Sequence, residues 1–199
     1  MNPPFTLSLF FYNLPSLNPT LIHSKIIQSF FQIFLIQVKK IEISDSIWVS
    51  VGGEQRIRYE DWNNFGIGGD NDHDFTLFPT QAHADNHIGE TWHLFVEGRM
   101  NTANNRDLPG EKRAVLDINE GYFGNLFIDK SFTDLDHDMT LRLGLQDIQF
   151  AKQRLISPLD WANNRRNFDG GVLAIQRDGY VAHVLVVSPI MIDHDALVW

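Results

Sequence analysis

Between residues 91 and 101 apolar and polar side chains alternate almost without exception. Trp92, Leu94, Val96, Gly98 and Met100 share one face of an extended chain, while Thr91, His93, Phe95, Glu97, Arg99 and Asn101 share the other. A period of two is what a pleated strand imposes, because successive side chains leave on opposite sides. The pattern returns over 49–60, where Val49, Val51, Ile57 and Tyr59 oppose Ser50, Glu54, Arg56, Arg58 and Glu60. It returns again where Met139, Leu141, Leu143 and Leu145 alternate with Thr140, Arg142, Gly144 and Gln146. Less regular strands are predicted at 74–84, 117–132, 171–177 and 180–188, giving seven in all. Pro79 lacks the N–H a ladder needs, so it predicts an edge, a bulge or a local defect in its strand.

The connections alternate as well. Long polar loops at 61–73, 101–114 and 149–170 follow the first, third and fifth strands. Short turns at 85–90, at 133–138 and at Asp178-Gly179 follow the others, the last being a tight-hairpin signal. Bacterial outer-membrane barrels show this asymmetry, with long external loops and short periplasmic turns. Trp48, Trp92, Phe132 and Tyr180 then fall at periplasmic strand ends, and Tyr59 and Phe75 at external ends, as in the aromatic girdles of such barrels. The expected fold is therefore all-β: an antiparallel transmembrane β-barrel of the outer-membrane type. Its apolar faces would meet lipid. Its ionic face, with Arg56, Arg58, Glu97, Arg99 and Arg142, would line a lumen where guanidinium groups can hold carboxylates bidentately. The rival fold is a soluble β-sandwich that binds or cleaves polysaccharide. There two apolar faces would bury each other and the charged face would be solvated.

Composition divides the chain. Residues 1–47 contain no Gly, Ala or Arg, whereas all three are common from Trp48 onward. The expected organisation is an atypical leader at 1–47 followed by a barrel domain at 48–199. The apolar stretch at 26–38 resembles the core of a secretory signal, but it lacks a small-residue cleavage site and runs directly into Lys39 and Lys40. A misassigned start is the alternative reading. With 199 residues, a net charge of −9 and no cysteine, the chain is large enough for one domain. That charge also argues against duplex nucleic acid as a partner, and thiolate metal sites and disulfides are excluded.

Motifs for catalysis are absent. There is no G-x-S-x-G and no H-E-x-x-H, and no carboxylate pair is singled out by spacing, so no enzyme activity and no cofactor are expected. Asp-His-Asp occurs at 72–74, 136–138 and 193–195. Neighbouring residues of an extended chain point apart, so one triplet does not surround an ion. His83, Asp85 and His87 do share a face, but without a further histidine counted beside them they form a weak zinc signal, and no metal site is expected.

The most specific stretch is 153–171, QRLISPLDWANNRRNFDGG. It resembles the signature loop of the alginate-export family. Ser157, Pro158, Asp160, Trp161, Asn163, Arg165, Arg166, Phe168, Asp169 and Gly170 match the family's pattern, and RIRYEDWNNF and LFVEGRMNT are similar to its early strands. The family's preceding G-R-Q-E appears here as Gly144-Leu145-Gln146-Asp147, with Leu145 in place of Arg and Asp147 in place of Glu. The resemblance spans about 48–189. It implies an outer-membrane channel with a basic lumen, through which an anionic, alginate-like polysaccharide or related solute passes. It also implies outer-membrane lipid and the barrel-assembly machinery as partners. Arg56, Arg58, Arg99 and Arg142 are the expected lumen residues; for Arg165 and Arg166, on a loop folded into the pore, anchoring of the loop through Asp160 or Asp169 is the first reading and an anion constriction the second. Since a single-chain bacterial barrel needs at least eight strands, about seven predict an incomplete barrel, and a truncated, inactive product is a further reading.

Overall fold

The computed structural model describes residues 9–12, 25–63, 73–105, 119–134, 136–150, 156–159 and 162–190, with side chains from Lys40 onward except at 119 and 120. The strands are β1 (Leu9–Tyr12), β2 (Lys25–Ser44), β3 (Ile47–Asn63), β4 (His73–Ile88), β5 (Trp92–Asn104), β6 (Asn119–Asp134), β7 (His137–Gln146), β8 (Phe168–Arg177) and β9 (Tyr180–Pro189). Among the described residues they form one antiparallel sheet whose spatial order is the chain order. The sheet is open, with β1 and β9 at its edges.

The seven expected strands are β3 to β9. The other two come from the segment read as a leader. Lys25–Ser44 pairs with β3 from Lys25↔Asn63 to Ser44↔Ile47, with register shifts between Phe34 and Ile36 and between Val38 and Ile41. Its apolar residues are too irregularly spaced to announce a period of two. Pairing of backbone groups along an existing neighbour does not require that period, which is why the sequence pattern missed this strand. Pro79 lies inside β4, not at an edge. The β3–β4 ladder steps from Gln55↔Thr80 to Arg58↔Leu77, so the missing donor falls at a break in the pairing. On the other side Pro79 stands in register with Asn101.

Cross-strand register carries two rows of polar side chains across the sheet. Glu54 stands opposite Gln81, Gln81 opposite Arg99, His93 opposite Asp129, and Asp129 opposite Arg142. This polar face is the sheltered one: Glu97 and Arg99 are each 6% exposed and Asn101 only 2%. The apolar face is the open one, with Tyr59, Trp92, Met100, Phe123, Ile128, Phe132, Leu143 and Val184 all exposed and Tyr180 at 82%. A sandwich would press those apolar residues together in a dry interior; they are exposed instead. The polarity is inverted relative to a soluble sheet, as expected of a wall with lipid on one side and water on the other. Two of the expected girdle aromatics lie elsewhere. Trp48 stacks on His87 and Phe75 is buried beside Trp62, both on the sheltered face, whereas Trp92, Phe132, Tyr180 and Tyr59 are on the open one.

Trp62, Phe75 and Leu77 form a small buried cluster, with Ala103 packed on it, where β3, β4 and β5 approach their loops. At the other side of the sheet, Gly144 and Gly170 face each other across β7 and β8. Both have positive φ, 125° and 140°, and a Cβ on either would come within 2.3 Å of a neighbouring carbonyl oxygen, of Leu126 and of Val186 respectively. Only glycine lets the strands bend and approach this closely. Gly144→Ala is expected to destabilise the sheet by about 2 kcal/mol, read as a lower denaturant midpoint by far-UV circular dichroism.

Candidate functional site

Among the described residues after β7, Asn164, Arg165 and Asn167 bond back to the sheltered face, and Asp147 lies at the centre of these contacts. Asp147 accepts two hydrogen bonds from Arg99, at 3.1 Å from Nη1 to Oδ1 and 2.6 Å from Nη2 to Oδ2. Its backbone N–H donates to Asn125 Oδ1 at 2.7 Å, and Asn167 Nδ2 donates to Asp147 Oδ1 at 2.8 Å. Arg165 Nη1 reaches Asp147 Oδ2 at 3.5 Å. Asn125 in turn donates to Glu97 Oε1 at 2.9 Å, and Glu97 pairs with Arg99. Asn101 Nδ2 donates to Asn164 Oδ1 and to Tyr122 Oη, and Asn167 also donates to the Gly124 carbonyl. Strands β5 and β6 thus meet the loop through one continuous hydrogen-bonded network. A bidentate guanidinium–carboxylate pair has the geometry to fix such a loop rather than merely attract it.

Gly124 makes room for this pair: a Cβ there would lie 2.3 Å from Arg99 Nε. The loop also has its own braces. Leu159 N donates to Ser157 Oγ at 3.0 Å, Arg166 N to the Pro158 carbonyl at 2.8 Å, and Ile190 N to the Asn167 carbonyl at 2.9 Å. Pro158, Asn163, Asn164 and Phe168 are buried, and Asp169 and Arg166 are exposed. Phe168 begins β8 opposite Gln146 and Pro189. Asp160 and Trp161 lie outside the described residues, as do the triplet at 193–195 and Asp72 of the first triplet.

The six arginines expected to face a lumen divide into two groups. Arg58 pairs with Glu60 at 2.8 Å, and both are sheltered; Arg99 is locked between Glu97 and Asp147. Arg56 pairs with Glu54 and Arg142 with Asp129, the latter bidentately at 2.8 Å from both Nε and Nη2, yet both guanidiniums stay half-exposed. Arg142 also lies over the Phe127 ring, 3.7 Å from its centroid. Arg165 reaches Asp147, a partner not weighed from sequence, while Asp160 lies outside the described residues, and Arg166 alone of the pair is exposed. Position 145 is in register with Leu126 and Asp169, three residues beyond Arg142, so Leu145 does not stand in the row of Arg142.

Sequence reasoning named the arginines, and the glutamates Glu54, Glu60 and Glu97 that pair with them, but missed the polar network that ties the loop to the sheet. Asn101, Tyr122, Asn125, Asn164 and Asn167 carried no motif that marked them, and Asp147 was visible only as a departure from the family pattern. Its shorter side chain still spans to both guanidinium nitrogens of Arg99.

A sheet of this polarity, antiparallel throughout and with a loop tied onto its ionic face, is of the outer-membrane β-barrel type. The chain belongs to the alginate-export family, which matches residues 47–197. That is a family of transporters, not of enzymes. No curated protein and no solved structure matches the chain.

Asp147→Ala leaves Arg99 buried with only Glu97 as carboxylate partner and removes one anchor each from Arg165 and Asn167. Breaking a buried pair from one side is expected to cost about 3 kcal/mol. Limited trypsin digestion with mass mapping should then cut after Arg165 and Arg166 faster than in the parent, whereas Arg166→Gln should leave the remaining sites unchanged.

Proposed function

We propose that this chain contributes the wall of an outer-membrane channel that passes an anionic, alginate-like polysaccharide or a related acidic solute, with the sheltered face turned to the water-filled path. The carrying observation is the inverted polarity: ionised residues are sheltered and paired on one face, and large apolar residues are exposed on the other. Family membership supports the same reading. Outer-membrane lipid is then the partner of the open face, and insertion requires the barrel-assembly machinery.

The pairing refines how an anion is handled. Every strand arginine expected in the lumen already holds a carboxylate, so the wall is a mosaic of both signs rather than a strip of positive charge. A uronate carboxylate passing such a wall exchanges with the protein's own Glu or Asp at the half-exposed arginines. Weak, replaceable contacts of this kind suit conduction, which requires that binding be easy to leave. Arg56, Arg142 and Arg166 are the residues in position to do this; Arg58, Arg99 and Arg165 maintain the wall and its loop.

Two measurements test these statements separately. If the open face meets hydrocarbon, Leu143→Arg destabilises the folded chain in lipid vesicles by about 2–4 kcal/mol; an unchanged unfolding midpoint would remove that face from lipid. In planar bilayers, a channel carrying Arg56→Gln, Arg142→Gln and Arg166→Gln should shift its reversal potential in a salt gradient toward cation preference. Selectivity identical to the parent would take these three side chains out of the conducting path.

A further inference from the structure

Near the β4–β5 turn the sheltered face carries a cluster that the channel reading does not use. His87 and His93 face each other in register across the hairpin, and Asp85 lies two residues along β4 on the same face. His87 Nε2 is 3.1 Å from Asp85 Oδ1, and His93 Nε2 is 2.5 Å from the same oxygen. The two rings are stacked, with centroids 4.7 Å apart. One ligand atom from each of the three residues lies within 4.8 Å of the others. His83, counted with Asp85 and His87 from the sequence, is not part of this trio; it sits over Gly52 and stacks on Phe95. The missing third ligand was His93, on the neighbouring strand.

The surroundings give a second, independent reason. His93 Nδ1 is 3.1 Å from Asp129 Oδ2, so both ring nitrogens of His93 face carboxylate oxygens. A neutral imidazole has a single N–H and satisfies one of those contacts. When Nδ1 donates to Asp129, the lone pair of Nε2 points at the anionic Asp85 oxygen, an arrangement that calls for a positive charge between them. Asp129 is itself fixed by the two hydrogen bonds from Arg142. A carboxylate on the far nitrogen of a ligating histidine, held in turn by its own partner, is the usual outer shell of a metal site. Trp48 stacks on His87 at 3.7 Å between centroids, 8° from parallel, and limits rotation of that ring.

We propose that Asp85, His87 and His93 bind a divalent first-row transition ion, zinc above all, with Asp129 orienting His93. Two imidazoles and one carboxylate suit zinc rather than calcium or magnesium, which prefer oxygen alone. Tetrahedral coordination places ligand atoms about 3.3 Å apart, so small side-chain rotations open the trio to accept the ion. All three residues are half-buried, which leaves them reachable from the water on that face. Three protein ligands leave one position for water or for a carboxylate of a passing solute.

The test is titration of the folded chain in detergent with zinc, calcium and magnesium by calorimetry, with circular dichroism to verify the sheet. One zinc per chain is expected, with calcium and magnesium far weaker. His87→Gln with His93→Gln should abolish zinc binding, while His183→Gln, away from the cluster, leaves it intact. Asp129→Asn keeps all three ligands and should weaken binding ~10- to 100-fold; this variant decides the matter if the double variant does not fold. Copper should also quench the fluorescence of Trp48, an effect lost in Trp48→Phe. A folded parent that binds no zinc, or zinc binding undiminished in both the double variant and Asp129→Asn, would overturn the proposal and leave His93 as a proton-bridged link between two acids.

Discussion

A charge taken out of bulk water must find an opposite charge or a full set of hydrogen bonds, and the ion pairs of the sheltered face answer that constraint. Arg58 with Glu60, Arg99 with Glu97 and Asp147, and Arg142 with Asp129 are each joined at hydrogen-bonding distance. Without those pairs the row of ionised residues in β3 to β7 would be a liability, because desolvating one alone costs several kcal/mol. With them, the same row becomes a rigid, wettable surface. The open face needs less care, since its exposed leucines, isoleucines, valines and phenylalanines have no polar groups to satisfy beyond the backbone, which the ladder already occupies.

This dependence explains how much of the molecule was legible beforehand. Strands β3, β5 and β7 followed from alternation because each has one apolar and one polar face, and a one-residue error would have inverted both; β4, β6, β8 and β9 followed from less regular patterns. The family resemblance followed from ten matching positions between Ser157 and Gly170. The strand at Lys25–Ser44 escaped notice because its pattern of Gln, Ser and Phe has no single period, and its pairing with β3 rests on backbone groups that sequence does not advertise. The loop's attachment was hidden for a different reason. Asn101 meets Asn164, and Arg99 meets Asp147, across 63 and 48 positions of chain, and no local pattern encodes a contact that distant. His93 was overlooked as the companion of His87 because they stand on different strands, and the hairpin turn alone brings them together.

The arginines show how a list of residue types can mislead about roles. From sequence, four guanidiniums on one strand face and two on a loop folded over it suggest a ladder of positive charge. In the fold, half of them hold the architecture: Arg99 and Arg165 converge on one aspartate, and Arg58 is sheltered against its glutamate. Arg56, Arg142 and Arg166 keep exposed surface. Position in the network, more than charge, separates a side chain that holds the wall from one that can meet a solute.

The strictly sequential strand order bears on how the protein is built. Each strand pairs with its chain neighbours, so a sheet of this kind can grow one hairpin at a time, each step closing only a short stretch of chain. The segment carrying Asn164 and Arg165 is the exception, for its docking partners on β5 and β6 must be in place before it can settle. Until it does, Arg99 waits beside Glu97 for the second half of its cage. The loop is therefore a late arrival, and its seating marks the moment at which the hydrophilic side becomes electrically complete.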